Sequence, residues 1–294
     1  MLKGTYTAIV TPFASDGSVD YDVFRKLIEF QIEGGVDGIV PVGTTGESPT
    51  LSVDEHLKVI KTTIDVCSVS SGVKVVAGTG ANSTSEAVEL TKRAADMGVD
   101  ATLQVTPYYN KPNAQGLFEH FSTVADEGLP VVLYNVPGRS GKEIPIDVVV
   151  RLAENKNIVA IKEAAGSVDR VSAILDRCDI TVVSGDDSLA LPMMVVGGKG
   201  VISVASNIIP SEVSSMINAA FSGDWERARK LHSKYYRLFA GMFVDTNPIP
   251  VKAALAMMGI IEEQYRLPIC PMSDELKEQL RDILLPLEII QEGK

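Results

Sequence analysis

Lys162 stands at the end of the run Ile158-Val159-Ala160-Ile161-Lys162-Glu163. The run is apolar and carries β-branched residues at three positions, with Asn157 before it and Gly166 after it, which predicts a short buried strand. Alternation puts Ala160 and Lys162 on one face, Val159 and Ile161 on the other. The smallest side chain of the run therefore shares a face with the lysine, as though room had been left there. Loss of water disfavours a charged ammonium. A neutral amine is a nucleophile towards ketones, so the run could supply an imine-forming lysine. A strand-end lysine whose ammonium simply reaches solvent fits the same run, and the choice depends on what else converges there.

Four other stretches carry matching chemistry. Tyr134 ends the apolar run Val131 to Tyr134 and alternates with Val132. A tyrosine near a nucleophilic amine can serve as general acid and base, although a core tyrosine bonded to backbone fits equally. Gly43-Thr44-Thr45-Gly46-Glu47 gathers two hydroxyls and several backbone N–H groups into one tight loop. Such a concavity can hold a carboxylate, and Thr45 could pass a proton; an ordinary glycine turn is the plain alternative. Arg139, in Pro137-Gly138-Arg139-Ser140-Gly141, offers a fork suited to a second carboxylate, or is an exposed loop arginine. Lys252, in Asn247-Pro248-Ile249-Pro250-Val251-Lys252, is the rival lysine. Its two preceding prolines place it in the first turn of a helix, which reads as structural. Asp186-Asp187 suggests a metal only weakly, since no histidine or third carboxylate stands near in sequence; Asp187 is expected to be the N-cap of the next helix. His56, His120 and His232 fall on predicted helix faces and suit no catalytic triad.

These residues need elements to position them. The chain alternates strands and helices throughout. Strands are expected at Thr5 to Val10, Gly38 to Val42, Val73 to Ala77, Thr102 to Thr106, Val131 to Tyr134, Ile158 to Glu163, Ile180 to Val183 and Gly200 to Val204. Asp20 can cap a helix with the stripe Val23, Phe24, Leu27, Ile28 and Ile32. Ser52 with Glu55, and Ser83 with Glu86, are spaced as capping boxes for the helices that follow. Asn135 to Gly141 reads as a loop. Eight β-then-α units with right-handed crossovers close into a (β/α)8 TIM barrel. A doubly wound open sheet is the runner-up, disfavoured because no G-x-G-x-x-G follows the first strand. The predicted domains are a barrel over 1–224 carrying the active site and a helical subdomain over 225–294. Barrel active sites lie at the carboxyl ends of the strands. There Thr44 and Thr45 follow strand two, Tyr108 and Tyr109 strand four, Tyr134 ends strand five, Lys162 strand six, and Gly185 follows strand seven.

Composition narrows the function. The 294 residues are 45% hydrophobic, enough for a sizeable core. No stretch approaches the roughly 20 apolar residues of a membrane span, and the N-terminal residues resemble neither a signal nor a transit peptide. Three scattered cysteines suit no disulfide framework or metal site and point to a reducing cytoplasm. A net charge of −11 without a basic stripe argues against nucleic acid and anionic membranes. An anionic substrate must then be held by local groups.

The motifs together resemble a known family. Gly43-Thr44-Thr45-Gly46-Glu47-Ser48, Thr106-Pro107-Tyr108-Tyr109-Asn110, Tyr134-Asn135-Val136-Pro137-Gly138-Arg139 and Ile161-Lys162-Glu163 are similar to the four signatures of the dihydrodipicolinate synthase family. Ser184-Gly185-Asp186-Asp187 and Asn247 to Lys252 also match, in collinear order over nearly the whole chain. Four separated motifs are highly specific for the wider pyruvate-dependent class I aldolase superfamily, whose fold is the barrel with a C-terminal helical region. The resemblance implies a lyase that condenses pyruvate with L-aspartate 4-semialdehyde in lysine and diaminopimelate biosynthesis, with no metal or organic cofactor. By motif position, Lys162 forms the imine, Tyr134 is the acid–base residue, and Thr45 links it to Tyr109 of a neighbouring subunit. Backbone N–H groups of Thr44 and Thr45 match the pyruvate carboxylate cradle, Arg139 the site for the second substrate, and Gly185 and Ile202 the pocket lining. A homotetramer is implied, with at least a dimer needed for a complete site. Members of the family are often inhibited by L-lysine at an interface site matched here by Ser48, His56, Asn82, Glu86 and Tyr108. Val53 stands where a histidine often does, so the resemblance implies weakened inhibition. The nearest alternative is an N-acetylneuraminate lyase or 2-keto-3-deoxy-sugar-acid aldolase, which shares the Lys162 and Tyr134 chemistry but lacks the arginine at 139. A non-catalytic barrel that only binds is a remoter one, given the intact lysine, tyrosine and threonine.

Overall fold

The computed structural model describes residues 2–69 and 72–291. The outermost bounds of the expected domains, Met1 and Lys294, lie outside the described residues.

Eight parallel strands close into a barrel in sequence order. They are β1 (Gly4–Ala8), β2 (Gly38–Val40), β3 (Lys74–Gly78), β4 (Ala101–Val105), β5 (Val131–Asn135), β6 (Ile158–Glu163), β7 (Thr181–Ser184) and β8 (Gly200–Ser203). The expected barrel is therefore the observed one, and the open sheet is excluded. Closure falls between β1 and β8, where Gly4 pairs with Gly200. Gly200 has φ +131, and a Cβ there would lie 2.0 Å from the Gly4 carbonyl oxygen. Only glycine lets the two backbones meet at this seam.

Side chains alternate as a period of two requires. Tyr6, Val40, Val76, Leu103, Val132, Tyr134, Ala160, Val183 and Ile202 fill the interior. Leu133, Ile161 and Val182 face outward and pack with Phe121, Val149 and Val171 of the surrounding helices. Those helices are α1 (Tyr21–Glu33), α2 (Val53–Cys67), α3 (Thr84–Met97), α4 (Ala114–Ala125), the single turn α5 (Pro137–Ser140), α6 (Ile146–Leu152), α7 (Val168–Leu175), α8 (Asp187–Val195) and α9 (Pro210–Phe221). The stretch expected to be a loop, Asn135 to Gly141, thus contains a turn of helix, started by Pro137 and stopped by Gly141 at φ +67.

The caps explain where helices begin, with one correction. Asp20 accepts from the Val23 N–H and starts α1. Ser52 and Glu55 form both bonds of a capping box on α2. Ser83 and Glu86 do not: Ser83 sits at the N-cap of α3 without a side-chain cap bond, and its hydroxyl instead meets that of Ser85 at 2.9 Å. The Glu86 carboxylate likewise makes no capping-box bond to the Ser83 N–H among the described residues.

Beyond the barrel come α10 (Trp225–Gly241), α11 (Ile249–Met257) and α12 (Asp274–Leu284). They bury Leu238, Phe239, Val251, Leu255, Leu280 and Leu284 in the same apolar layer as α1 and α2. Two cations bind this segment to the loops at the barrel mouth. Lys252, fully buried, donates to Glu47 at 2.5 Å and to the Thr11 carbonyl at 3.1 Å, and lies 4.2 Å from the centroid of the Phe13 ring. Arg266 bridges both oxygens of Glu55 at 2.6 and 2.8 Å and also reaches the Thr50 and Gly17 carbonyls. Burial lowers the proton affinity of Lys252, while the Glu47 carboxylate raises it. With its ammonium engaged by a carboxylate and a carbonyl, Lys252 is the structural lysine that its sequence position implied.

Removing one member of a buried pair leaves the other charge stranded. Lys252→Met should therefore destabilise the fold by about 3–5 kcal/mol, and Lys252→Met with Glu47→Gln by much less. Denaturant unfolding of the three proteins measures this. A single variant as stable as the parent would show that the pair does not hold the C-terminal segment.

Candidate active site

Strand register brings the chemistry together. Tyr134 pairs with Lys162 across β5 and β6, so both side chains point into the barrel at the same level. The Lys162 Nζ lies 4.4 Å from the Tyr134 ring centroid. Lys162 is 4% exposed and Tyr134 7%. Ala160, one pleat below, leaves the space that its size suggested. Gly185 closes the other side: a Cβ there would fall 3.0 Å from Lys162 Cε and 2.6 Å from Ala164 Cβ. Ile202 lies on the interior wall, fully buried.

The outward neighbours of the same strands brace this pair. Asn135 donates to Glu163 at 2.7 Å, and Arg170 Nε donates to the other Glu163 oxygen at 2.9 Å. Arg170 also reaches the Ile144 carbonyl at 2.5 Å. Burial raises the Glu163 carboxyl's proton affinity, and Arg170 opposes that shift. Sequence reading did not find this brace. Its signal was a polar residue directly after each of the two catalytic candidates in Tyr134-Asn135 and Lys162-Glu163.

Asp187 is a correction. Asp186, not Asp187, occupies the N-cap of α8, and it makes no side-chain cap bond. The buried Asp187 carboxylate turns to the end of β8, accepting from Val204 N at 3.0 Å, Ala205 N at 2.9 Å and Ser203 Oγ at 2.5 Å. Those amides lie past the last strand residue and lack a ladder partner, which is why they draw the carboxylate.

The loop after β2 lines the mouth. Val42 and Glu47 bracket it with φ of 50 and 53. A β-branched residue such as Val42 in the left-handed region is strained by roughly 1–3 kcal/mol, and such strain gathers at functional sites. Thr44 is half-buried at the opening. Thr45 is buried, and its Oγ1 accepts from Asn247 Nδ2 at 3.0 Å. Arg139 is exposed on α5 and donates to the Asn247 carbonyl at 2.9 Å. Asn247 was quoted within a motif, but its reach into the mouth was not foreseen.

A narrow pocket of about 40 Å³ beside Tyr134 and Thr44 shares Thr44, Ser48, Gly80 and Val105 with a cavity of about 390 Å³. The larger cavity is lined by Thr44, Arg139, Ser48, His56, Glu86 and Tyr108, and also by Val53. His56 is buried, not the solvated helix residue that its position on α2 allowed, and burial lowers its proton affinity. Tyr108 is held above its usual range by burial and by the charge of Glu86. Asn82 stands behind, its Nδ2 3.4 Å from the Tyr108 carbonyl. Tyr109 is not brought to the others. It is 89% exposed with φ 72, and no hydrogen bond joins it to Thr45 or Tyr134 among the described residues.

The model of the dihydrodipicolinate synthetase family matches residues 1–286. The chain belongs to this family. It is 50% identical over 293 residues to the 4-hydroxy-tetrahydrodipicolinate synthase of Geobacter metallireducens, covering 99% of this chain and 100% of that one. The chloride-inhibited dihydrodipicolinate synthase of Acinetobacter baumannii, solved with pyruvate, superposes with a TM-score of 0.94 at 47% identity, covering 97% and 98% of the two chains. The synthase of Cyanidioschyzon merolae, solved with lysine bound, does so with a TM-score of 0.93 at 42% identity, covering 96% and 97%. The family is one of pyruvate-dependent, imine-forming enzymes that use no metal or organic cofactor.

Proposed function

We propose that this chain is a lyase that condenses pyruvate with L-aspartate 4-semialdehyde, the 4-hydroxy-tetrahydrodipicolinate synthase reaction of lysine and diaminopimelate biosynthesis. The observation that carries the reading is a buried lysine opposite a tyrosine in a barrel of this family. In the proposed mechanism the Lys162 amine attacks the pyruvate ketone and water leaves, forming an imine. The imine withdraws electrons and makes the methyl protons acidic, so loss of one gives an enamine. The enamine carbon attacks the aldehyde, and ring closure releases product and lysine. Tyr134 moves the protons, relayed by Thr45. The backbone N–H groups of Thr44 and Thr45 receive the pyruvate carboxylate, Gly185 and Ile202 shape its pocket, and Arg139 receives the carboxylate of the second substrate. We assign 1–224 to the barrel and 225–294 to the helical subdomain. No helix among the described residues is long and apolar enough to cross a membrane; we place the reaction in the cytoplasm.

Borohydride reduction with pyruvate, followed by peptide mass mapping, tests the core of this reading. The adduct is expected on Lys162 and not on Lys252. Arg139→Ala should still be trapped, while its use of the aldehyde falls by on the order of 30- to 100-fold, the loss of a charge-assisted contact. An adduct elsewhere, or none, ends the imine mechanism; equal damage to both substrates ends the role of Arg139.

Tyr109 lies far out on the surface, which supports its acting in a neighbouring subunit's site within a homotetramer built as a dimer of dimers. Mixing inactive Tyr109→Phe with inactive Lys162→Ala chains should then restore activity through hybrid interfaces. No recovery after proven subunit exchange would place Tyr109 in its own chain's site.

L-lysine is the proposed inhibitor, bound in the larger cavity by Ser48, His56, Glu86 and Tyr108, with Asn82 behind Tyr108. Glu86, released from any cap, faces the cavity and suits an α-ammonium; Val53 removes a polar contact and weakens binding. Initial rates with millimolar lysine should fall, and Glu86→Ala should raise the inhibitory concentration by on the order of tenfold or more. Unchanged inhibition in that variant would remove the site.

A further inference from the structure

Asn247 belongs to the C-terminal helical segment yet touches both Thr45, the proposed proton relay, and Arg139, proposed to receive the second substrate's carboxylate. Its Nδ2 donates to Thr45 Oγ1 at 3.0 Å, and its main-chain carbonyl accepts from Arg139 at 2.9 Å. It is 5% exposed. Its Oδ1 is buried and has no partner among the described residues. Five residues on, Lys252 is locked to Glu47, two residues past Thr45, so the segment grips the same loop there too.

A hydroxyl carries one proton and two lone pairs. A relay uses one lone pair to take a proton and the O–H to give one. The remaining lone pair lets the group turn towards other partners. At Thr45 the Asn247 amide fills it, so the Thr45 proton cannot turn towards Asn247 and must be donated elsewhere. We propose that Asn247 is a positioning residue. Its amide fixes the sense in which Thr45 hands on protons, and its carbonyl steadies Arg139 at the mouth. This rests on the reading that Thr45 relays protons and Arg139 receives a carboxylate.

The test is steady-state kinetics of Asn247→Asp and Asn247→Ala, with Asn247→Ala also made in a Thr45→Val background, and borohydride trapping of each. An ionised aspartate keeps the shape and the main-chain carbonyl but can only accept, so it turns the Thr45 hydroxyl round. The expected result is a kcat lower by about 100-fold in Asn247→Asp and about tenfold in Asn247→Ala. The KM for L-aspartate 4-semialdehyde should move less than about threefold in either, and pyruvate should still be trapped on Lys162. The ratio of Asn247→Asp to parent kcat should rise as pH falls, because a protonated carboxyl donates as the amide does. In the Thr45→Val background, Asn247→Ala should lower kcat by less than about twofold further. Both single variants within about threefold of the parent, a pH-independent ratio, or full additivity with Thr45→Val would each overturn the proposal. Should Asn247→Asp not fold, the Asn247→Ala and Thr45→Val cycle alone decides. The underlying reading fails separately, in the parent protein and in the threonine variant: no Lys162 adduct, or a Thr45→Val chain with parental kcat, ends it whatever Asn247 does.

Discussion

The register of β5 against β6 is the constraint on which the site depends. A parallel ladder with a period of two offers two faces, and both are used. Inside, Tyr134 faces Lys162; outside, Asn135 bonds Glu163, which in turn holds Arg170. A slip of one residue would send the lysine to the helices and the carboxylate into the barrel. The polar brace on the outer face therefore protects an arrangement on the inner one. It also brings a buried carboxylate within its own strand of the lysine without letting the two pair, since alternation turns them apart.

The mouth is governed by a second set of bonds, which come from outside the barrel. Glu47, Glu55 and Thr45 all belong to one stretch after β2, and each is met by a residue beyond 245: Lys252, Arg266 and Asn247. The strained turn at Val42 is thus held from the far end of the chain. From the barrel side it is met by β3, where Gly78 donates to the Pro41 carbonyl at 3.1 Å and leaves room for the Val42 carbonyl. The C-terminal segment contributes apolar burial through its helices, and its polar residues Asn247, Lys252 and Arg266 hold the stretch after β2 in place.

Most of the fold was legible in the sequence because strands and helices alternate cleanly and their apolar periods differ. Alternation alone put Lys162 with Ala160 and Tyr134, and proline spacing separated Lys252 from it. What was not legible has a common physical origin. The Ser83 hydroxyl had two possible partners nearby, and sequence spacing could not say that Ser85 would win over the helix amide. Asp187 looked like a cap because caps are local; its true partners stand well over ten residues away at the end of β8. Asn247 and Glu163 act through contacts between segments remote in sequence. The family resemblance suggested roles for Tyr109 and for Ser48, His56, Asn82, Glu86 and Tyr108 that periodicity could not. His56 fell on a predicted helix face, but which side of α2 the cavity would bury was not written there.

The glycine seam between β1 and β8 has a consequence for how the chain is made. Gly4 finds its partner only when Gly200 has been synthesised, so β1 leaves the ribosome with one edge unpaired for most of translation. Long-range pairings of this kind close late and slowly. Thr11, just beyond that strand, waits longer still, for Lys252. The nascent barrel is therefore an open, curling sheet, exposed to strand addition by other chains until its last third arrives.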